Sequence, residues 1–265
     1  MTRVTGIGLL TGWGAGTAAL PDDARATGAG RRVVALPRPA YDGERFRRAT
    51  RECLLGVAAV DAMLADAGLD RGAIGGPDTA LIYASAAAYG ASNRAFIVGG
   101  PSVYFPYTAP SAVPAEVAIE YGLRGGYVIL VGGATACIEA LWQAATLLGS
   151  GRCRRAIVLA VETFAECETL WSRGRWTVRG PLVEAAACAL LEGDGEVCYA
   201  VGVIPAPLEM VARQRAGETL ACGPLIALAL AREAGEALPR VTGQWRGRRM
   251  GVTLELATAA ARTRS

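Results

Sequence analysis

Apolar and polar positions along this chain fall into blocks whose period changes. Residues 4–10 (VTGIGLL) are a short apolar run ending in a glycine-rich turn, which predicts a first strand. Over residues 45–67 the period becomes helical: Phe46, Ala49, Cys53, Val57, Val60 and Leu64 recur at spacings of three and four, and Gly68 ends the run. Residues 79–84 (TALIYA) predict a short strand, and residues 110–121 a helix with Pro114 in its first turns, where a missing N–H is tolerated. Residues 127–131 (YVILV) contain no charged position and predict a fully buried strand, followed by a small-residue turn and a helix over 135–148. Residues 155–161 (RAIVLAV) and 185–191 (AAACALL) predict two more strands. Buried strands alternating with helices point to a layered α/β fold with a largely parallel sheet. Beyond residue 193 the order is harder to read: 204–207 (IPAP) reads as a connection, 225–235 as a helix and 249–256 as a closing strand.

Composition adds an expectation about assembly. The chain has 265 residues, 52% hydrophobic and 19% charged, enough for a large core. Its mean hydropathy of +0.30 is high for a free-standing monomer and predicts an extensive subunit interface. No apolar stretch is long enough to predict a membrane span, and the glycines between residues 6 and 16 interrupt any signal-peptide core, so a cytoplasmic protein is expected. Seven cysteines (53, 137, 153, 167, 188, 198, 222) without a CxxC pair predict reduced, buried thiols, with neither a zinc site nor a disulfide framework.

The chemical inventory excludes several activities. There is no histidine, and all 27 basic residues are arginine. An α/β-hydrolase needs GxSxG and a histidine. Gly12, Gly14 and Gly16 miss the dinucleotide-binding spacing, and a lysine-dependent dehydrogenase lacks its lysine. Arginines cluster at 31–51, 152–155 and 246–249. Without interleaved aromatics they read mostly as solvated faces and give nucleic-acid binding little support, although they suit an acidic carrier protein.

Several segments together carry a resemblance. VTGIGLLTGWG (4–14), RFRRATRECLLGVAAVDAMLADAGLD (45–70), PSAVPAEVAIEYGLRG (110–125) and RAIVLAVE (155–162) resemble, in order and spacing, the N-terminal half of β-ketoacyl synthases. The resemblance implies a thiolase-like fold whose N-terminal half, residues 1–194, is complete. Residues 195–265 are then a shortened remnant of the C-terminal half, and the two form one compact unit. It also implies a register. Counting forward from YGLRG (121–125), or back from LLGSG (147–151), puts the family's nucleophilic cysteine at Ala134. Cys137, three positions on, then reads as a core filler, although the helix N-terminus beside it would lower a thiol's pKa. GETLACGPLIALALAREAGEALP (217–239) resembles the family's histidine segment, which puts Glu218 at a histidine position and Arg213 near the lysine position.

Decarboxylative condensation needs a thiolate and donors that stabilise an enolate. Alanine supplies no nucleophile, and a glutamate anion opposes developing negative charge. Within the superfamily the chain therefore resembles the chain length factor of a type II polyketide synthase, in a short form like those of aryl polyene and other highly reducing polyene systems. That resemblance implies a non-catalytic subunit without metal or cofactor. Its implied partners are a full-length ketosynthase and an acyl carrier protein. Phe105, Tyr107, Thr108, Ser111, Ala112, Val113 and Ala115 are expected at the acyl tunnel, and Tyr127, Val128, Ile129, Leu130 and Val131 at the subunit interface. Two alternatives stay open: an acyl-transfer or condensing enzyme using Cys137, and a homodimeric scaffold without a tunnel role.

Overall fold

The computed structural model describes residues 1–169 and 180–257. Strand β1 (Arg3–Thr11) turns back through β2 (Gly14–Ala15) and leads by way of α1 (Ala24–Gly28) and β3 (Val33–Val34) to the long helix α2 (Arg51–Ala67). There follow β4 (Thr79–Ser85), α3 (Gly90–Ile97), α4 (Ala112–Tyr121), β5 (Tyr127–Val131), α5 (Ala134–Gly149) and β6 (Arg155–Glu162), then β7 (Leu182–Val183) and β8 (Ala185–Glu192). The rest holds β9 (Cys198–Val201), α6 (Pro207–Ala216), α7 (Gly223–Glu233), β10 (Arg240–Trp245), β11 (Arg248–Thr253) and β12 (Glu255–Leu256).

The central sheet runs β12-β1-β8-β6-β4-β5, with β2 beside β1. Strand β8 is antiparallel to both β1 and β6, and the other neighbours in that row are parallel. Side chains alternate across it as the pleat requires. Leu81 and Tyr83 of β4 join α2 and α4 in one core, while Ala80, Ile82 and Ala84 join α5 and α7 in another. Beyond α5 and α7 lies an antiparallel three-stranded sheet, β10-β11-β9, so the layers are helix, sheet, helix, sheet. The layered, thiolase-like α/β expectation therefore holds, with β8 as the one reversed strand in the row.

Local sequence explains how the layers close up. Helix α2 ends at Gly68, whose φ of 67° is a left-handed cap that glycine adopts without strain. Gly8 of β1 lets α2 lie directly on the strand, since a Cβ there would stand 2.6 Å from the Met63 amide nitrogen. The β10–β11 hairpin turns on Arg246 and Gly247, both at positive φ (48° and 79°), the conformation a two-residue turn between twisted strands needs.

Three expectations need correction. The helix predicted over 45–67 starts at Arg51, because residues 43–48 form turns. Its ladder begins only after Thr50, which is extended. Residues 127–131 are a strand but not a fully buried one: β5 is the edge of the sheet, with Tyr127 43% and Val131 57% exposed. Residues 249–256 hold two short strands, β11 and β12, on different sheets. Helices α1, α3 and α6 and strands β9 and β10 were not legible, being short or built on weakly apolar segments.

Candidate functional site

The turn Gly132-Gly133 carries the chain from β5 into α5, and Ala134 is the first residue of that helix. The Gly132 amide donates to the Ser85 carbonyl at 3.0 Å, fixing the turn to the end of β4. Ala134 is half-buried. Cys137 lies one turn further in and has no exposed surface. Burial pushes its thiol far up, and a hydrogen bond with the backbone of Leu225 offsets only part of that. The lowering expected from the helix N-terminus is overridden by desolvation. Of Cys53, Cys137, Cys153, Cys188, Cys198 and Cys222, only Cys198 is exposed.

Glu162, the last residue of β6, is buried among donors. Its carboxylate accepts from the amides of Ala86 (2.7 Å), Ala87 (2.9 Å) and Ala221 (3.2 Å) and lies 3.4 Å from the Ser85 hydroxyl. It thereby ties the segment after β4 to the turn ahead of α7. Burial raises its pKa to about 8 despite those bonds. Glu184, between β7 and β8, is the opposite case. Burial pushes its carboxyl up, but the Arg51 guanidinium at 2.6 Å and the Phe164 and Ala165 amides, both at 2.6 Å, outweigh it and hold the pKa below the ordinary range. Neither acid was singled out from the sequence. The signal was a lone carboxylate inside or ending an apolar strand run.

Glu218 is paired with Arg213 at 3.5 Å and accepts from the Leu220 amide at 3.2 Å. Burial raises its pKa, with Arg213 opposing. The two residues expected at the histidine and lysine positions are thus brought together as an ion pair.

The residues expected at a tunnel or interface divide. Phe105 is 61% exposed and stacks near Phe96, while Tyr107 and Thr108 are half-buried. Ser111, Ala112 and Ala115 are half-buried along α4. The Tyr127 hydroxyl donates to the Ser111 carbonyl at 3.2 Å, tying the edge strand to that helix. Val113 departs from the group: it is buried in the core, against Gly56 of α2. Val128, Ile129 and Leu130 are half-buried between the exposed Tyr127 and Val131. Ile97, Val98 and Ile119, which the sequence did not single out, are exposed apolar residues on α3, just after it, and on α4. Several clustered arginines are engaged structurally, Arg45 with Glu116 and Glu120, and Arg51 with Glu166 and Glu184.

The layered α/β fold, with a helix starting at the end of an edge strand and a buried carboxyl group beside it, is that of a thiolase-like domain. Residues 24–179 match the family described as beta-ketoacyl synthase, N-terminal domain, and the chain belongs to that family. Solved structures of other proteins share its fold. The ishigamide ketosynthase/chain length factor is 18% identical over 97% of this chain and 99% of that one, with a TM-score of 0.70. AntDE:AntF, a type II polyketide synthase acyl-carrier protein in complex with its ketosynthase, is 14% identical over 96% and 98%, with a TM-score of 0.74. The ketosynthase ApeO in complex with its chain length factor ApeC, from Xenorhabdus doucetiae, is 12% identical over 95% and 98%, with a TM-score of 0.64. At these identities the likeness is one of fold. No curated protein matches the chain.

Proposed function

We propose that this chain is a non-catalytic chain length factor, which pairs with a full-length ketosynthase and lends a wall to the tunnel that holds the growing polyketide chain. The observation that carries this is Ala134 at the start of α5: the helix terminus where the family keeps a nucleophile presents a methyl group. The nearest sulfur along the helix, Cys137, is buried and held as a neutral thiol, which argues against a condensing enzyme using it. Glu218 lies against Arg213 at 3.5 Å, so the position that the resemblance gives to a histidine holds a carboxyl group in an ion pair. The open β5 edge and the exposed apolar residues around it support assembly with another subunit, because such an edge otherwise invites uncontrolled pairing. Ketosynthase–chain length factor pairs among the solved structures of like fold favour a heterodimer over a homodimeric scaffold.

The test is co-expression with a full-length ketosynthase that retains its cysteine and two histidines, supplied with a loaded acyl carrier protein. A 1:1 complex is expected whose product is longer and more uniform than that of the ketosynthase alone. Acyl transfer to Cys137 would overturn the reading in favour of an enzyme. A stable homodimer that ignores the ketosynthase would overturn it in favour of a scaffold.

A further inference from the structure

The turn that carries Ala134 is covered by the chain's own last hairpin. The Trp245 indole lies so close to Gly133 that a methyl group on that residue would overlap the ring. Two residues earlier on β10, the Gly243 backbone rests on Ala134: a Cβ there would stand 2.6 Å from the Ala134 carbonyl oxygen and 2.9 Å from its methyl. Trp245 also packs on an apolar cluster of Ala87, Phe164, Leu182 and Leu220. Ala87 follows β4 and Phe164 follows β6, so the cluster sits beyond the carboxyl ends of neighbouring parallel strands, where open α/β sheets place their ligands. The hairpin is not free to swing away. Val241, Met250 and Val252 are buried in the main core, the Thr242 hydroxyl donates to Glu209 at 2.8 Å, and Arg249 pairs with the same carboxylate at 3.7 Å.

We infer that Trp245 and Gly243 occupy the ground above residue 134, so that no acyl group is housed in this subunit's own pocket. An acyl chain then meets this subunit only along its outer side, at β5 and α4. The identity of that ligand rests on the proposed function; the closure rests on the packing alone. The site has lost its sulfur and, separately, the space in which an acyl thioester would sit. Restoring the first does not restore the second.

The test uses the full chain by itself. Ala134→Cys introduces a thiol at the helix start, and its alkylation by iodoacetamide is followed residue by residue through peptide mass mapping, at a pH of about 8.5 where ordinary thiols ionise freely. Cys198, exposed on β9, is the internal reference. With Trp245 in place, position 134 is expected to react about tenfold or more slowly than Cys198, and in Ala134→Cys/Trp245→Ala, where the Gly243 backbone still remains, to react severalfold faster than in Ala134→Cys alone. Should the second variant fail to fold, Ala134→Cys/Gly133→Ala displaces the indole from the opposite side and carries the same expectation. Reaction at the Cys198 rate with Trp245 present, or no acceleration after the indole has been removed or displaced, overturns the inference. Either result leaves the chain-length reading to its own test with the ketosynthase.

Discussion

At the residue scale two buried acids behave in opposite ways, Glu162 gaining from a proton and Glu184 from its loss. Glu162 has a pKa of about 8 against an ordinary value of 4.5, so folding favours its protonated form. Its contribution to stability is present below 4.5 and is lost as pH rises through about 8. The melting temperature of the native chain is therefore expected to fall, relative to that of Glu162→Gln, between those two values. Parallel pH profiles for the two proteins would refute this. Glu184 depends on Arg51, and both side chains are largely or wholly out of solvent. Arg51→Met strands a buried charge and is expected to cost about 3–5 kcal/mol in urea unfolding, while Arg51→Met/Glu184→Gln recovers much of the loss. These acids were overlooked in the sequence for a physical reason. A carboxylate at the end of RAIVLAVE looks like a strand terminus reaching solvent, and only the amides of Ala86, Ala87 and Ala221, brought from two distant segments, make it an interior group. The start of α5, by contrast, was legible to within one residue, because the small-residue turn after YVILV already predicted a helix from 135.

At the element scale the informative case is β5. Its run YVILV predicts burial, and within this chain the prediction is only half met, since β4 covers one edge and nothing among the described residues covers the other. Under the proposed function, the missing burial is what a second chain supplies. Val131→Lys places a charge on an exposed position, so the isolated chain is expected to keep its stability within about 0.5 kcal/mol while losing assembly with a ketosynthase in size-exclusion chromatography. Retained assembly would remove β5 from the interface. On α4, Ala112→Phe or Ala115→Phe is expected to shorten the polyketide made by the complex, and products of unchanged length would remove that helix from the tunnel. Val113→Phe differs in kind: Val113 packs into Gly56, so overpacking is expected to destabilise the fold by about 1–3 kcal/mol. Strand β9 escaped reading because it is only four residues long and its pairing, Met250 with Val201, joins distant segments.

At the scale of the whole molecule the order of the central sheet has a consequence for synthesis. β8 is inserted between β1 and β6, so residues 3–11 have no long partner until residues 185–192 exist. A nascent chain thus leaves the ribosome with its first strand waiting on one some 180 positions later, and helix α2 resting on an unfinished floor. Slow, chaperone-dependent maturation is the expected result, and the hydrophobic strands held apart through that interval are the ones a cell must shield.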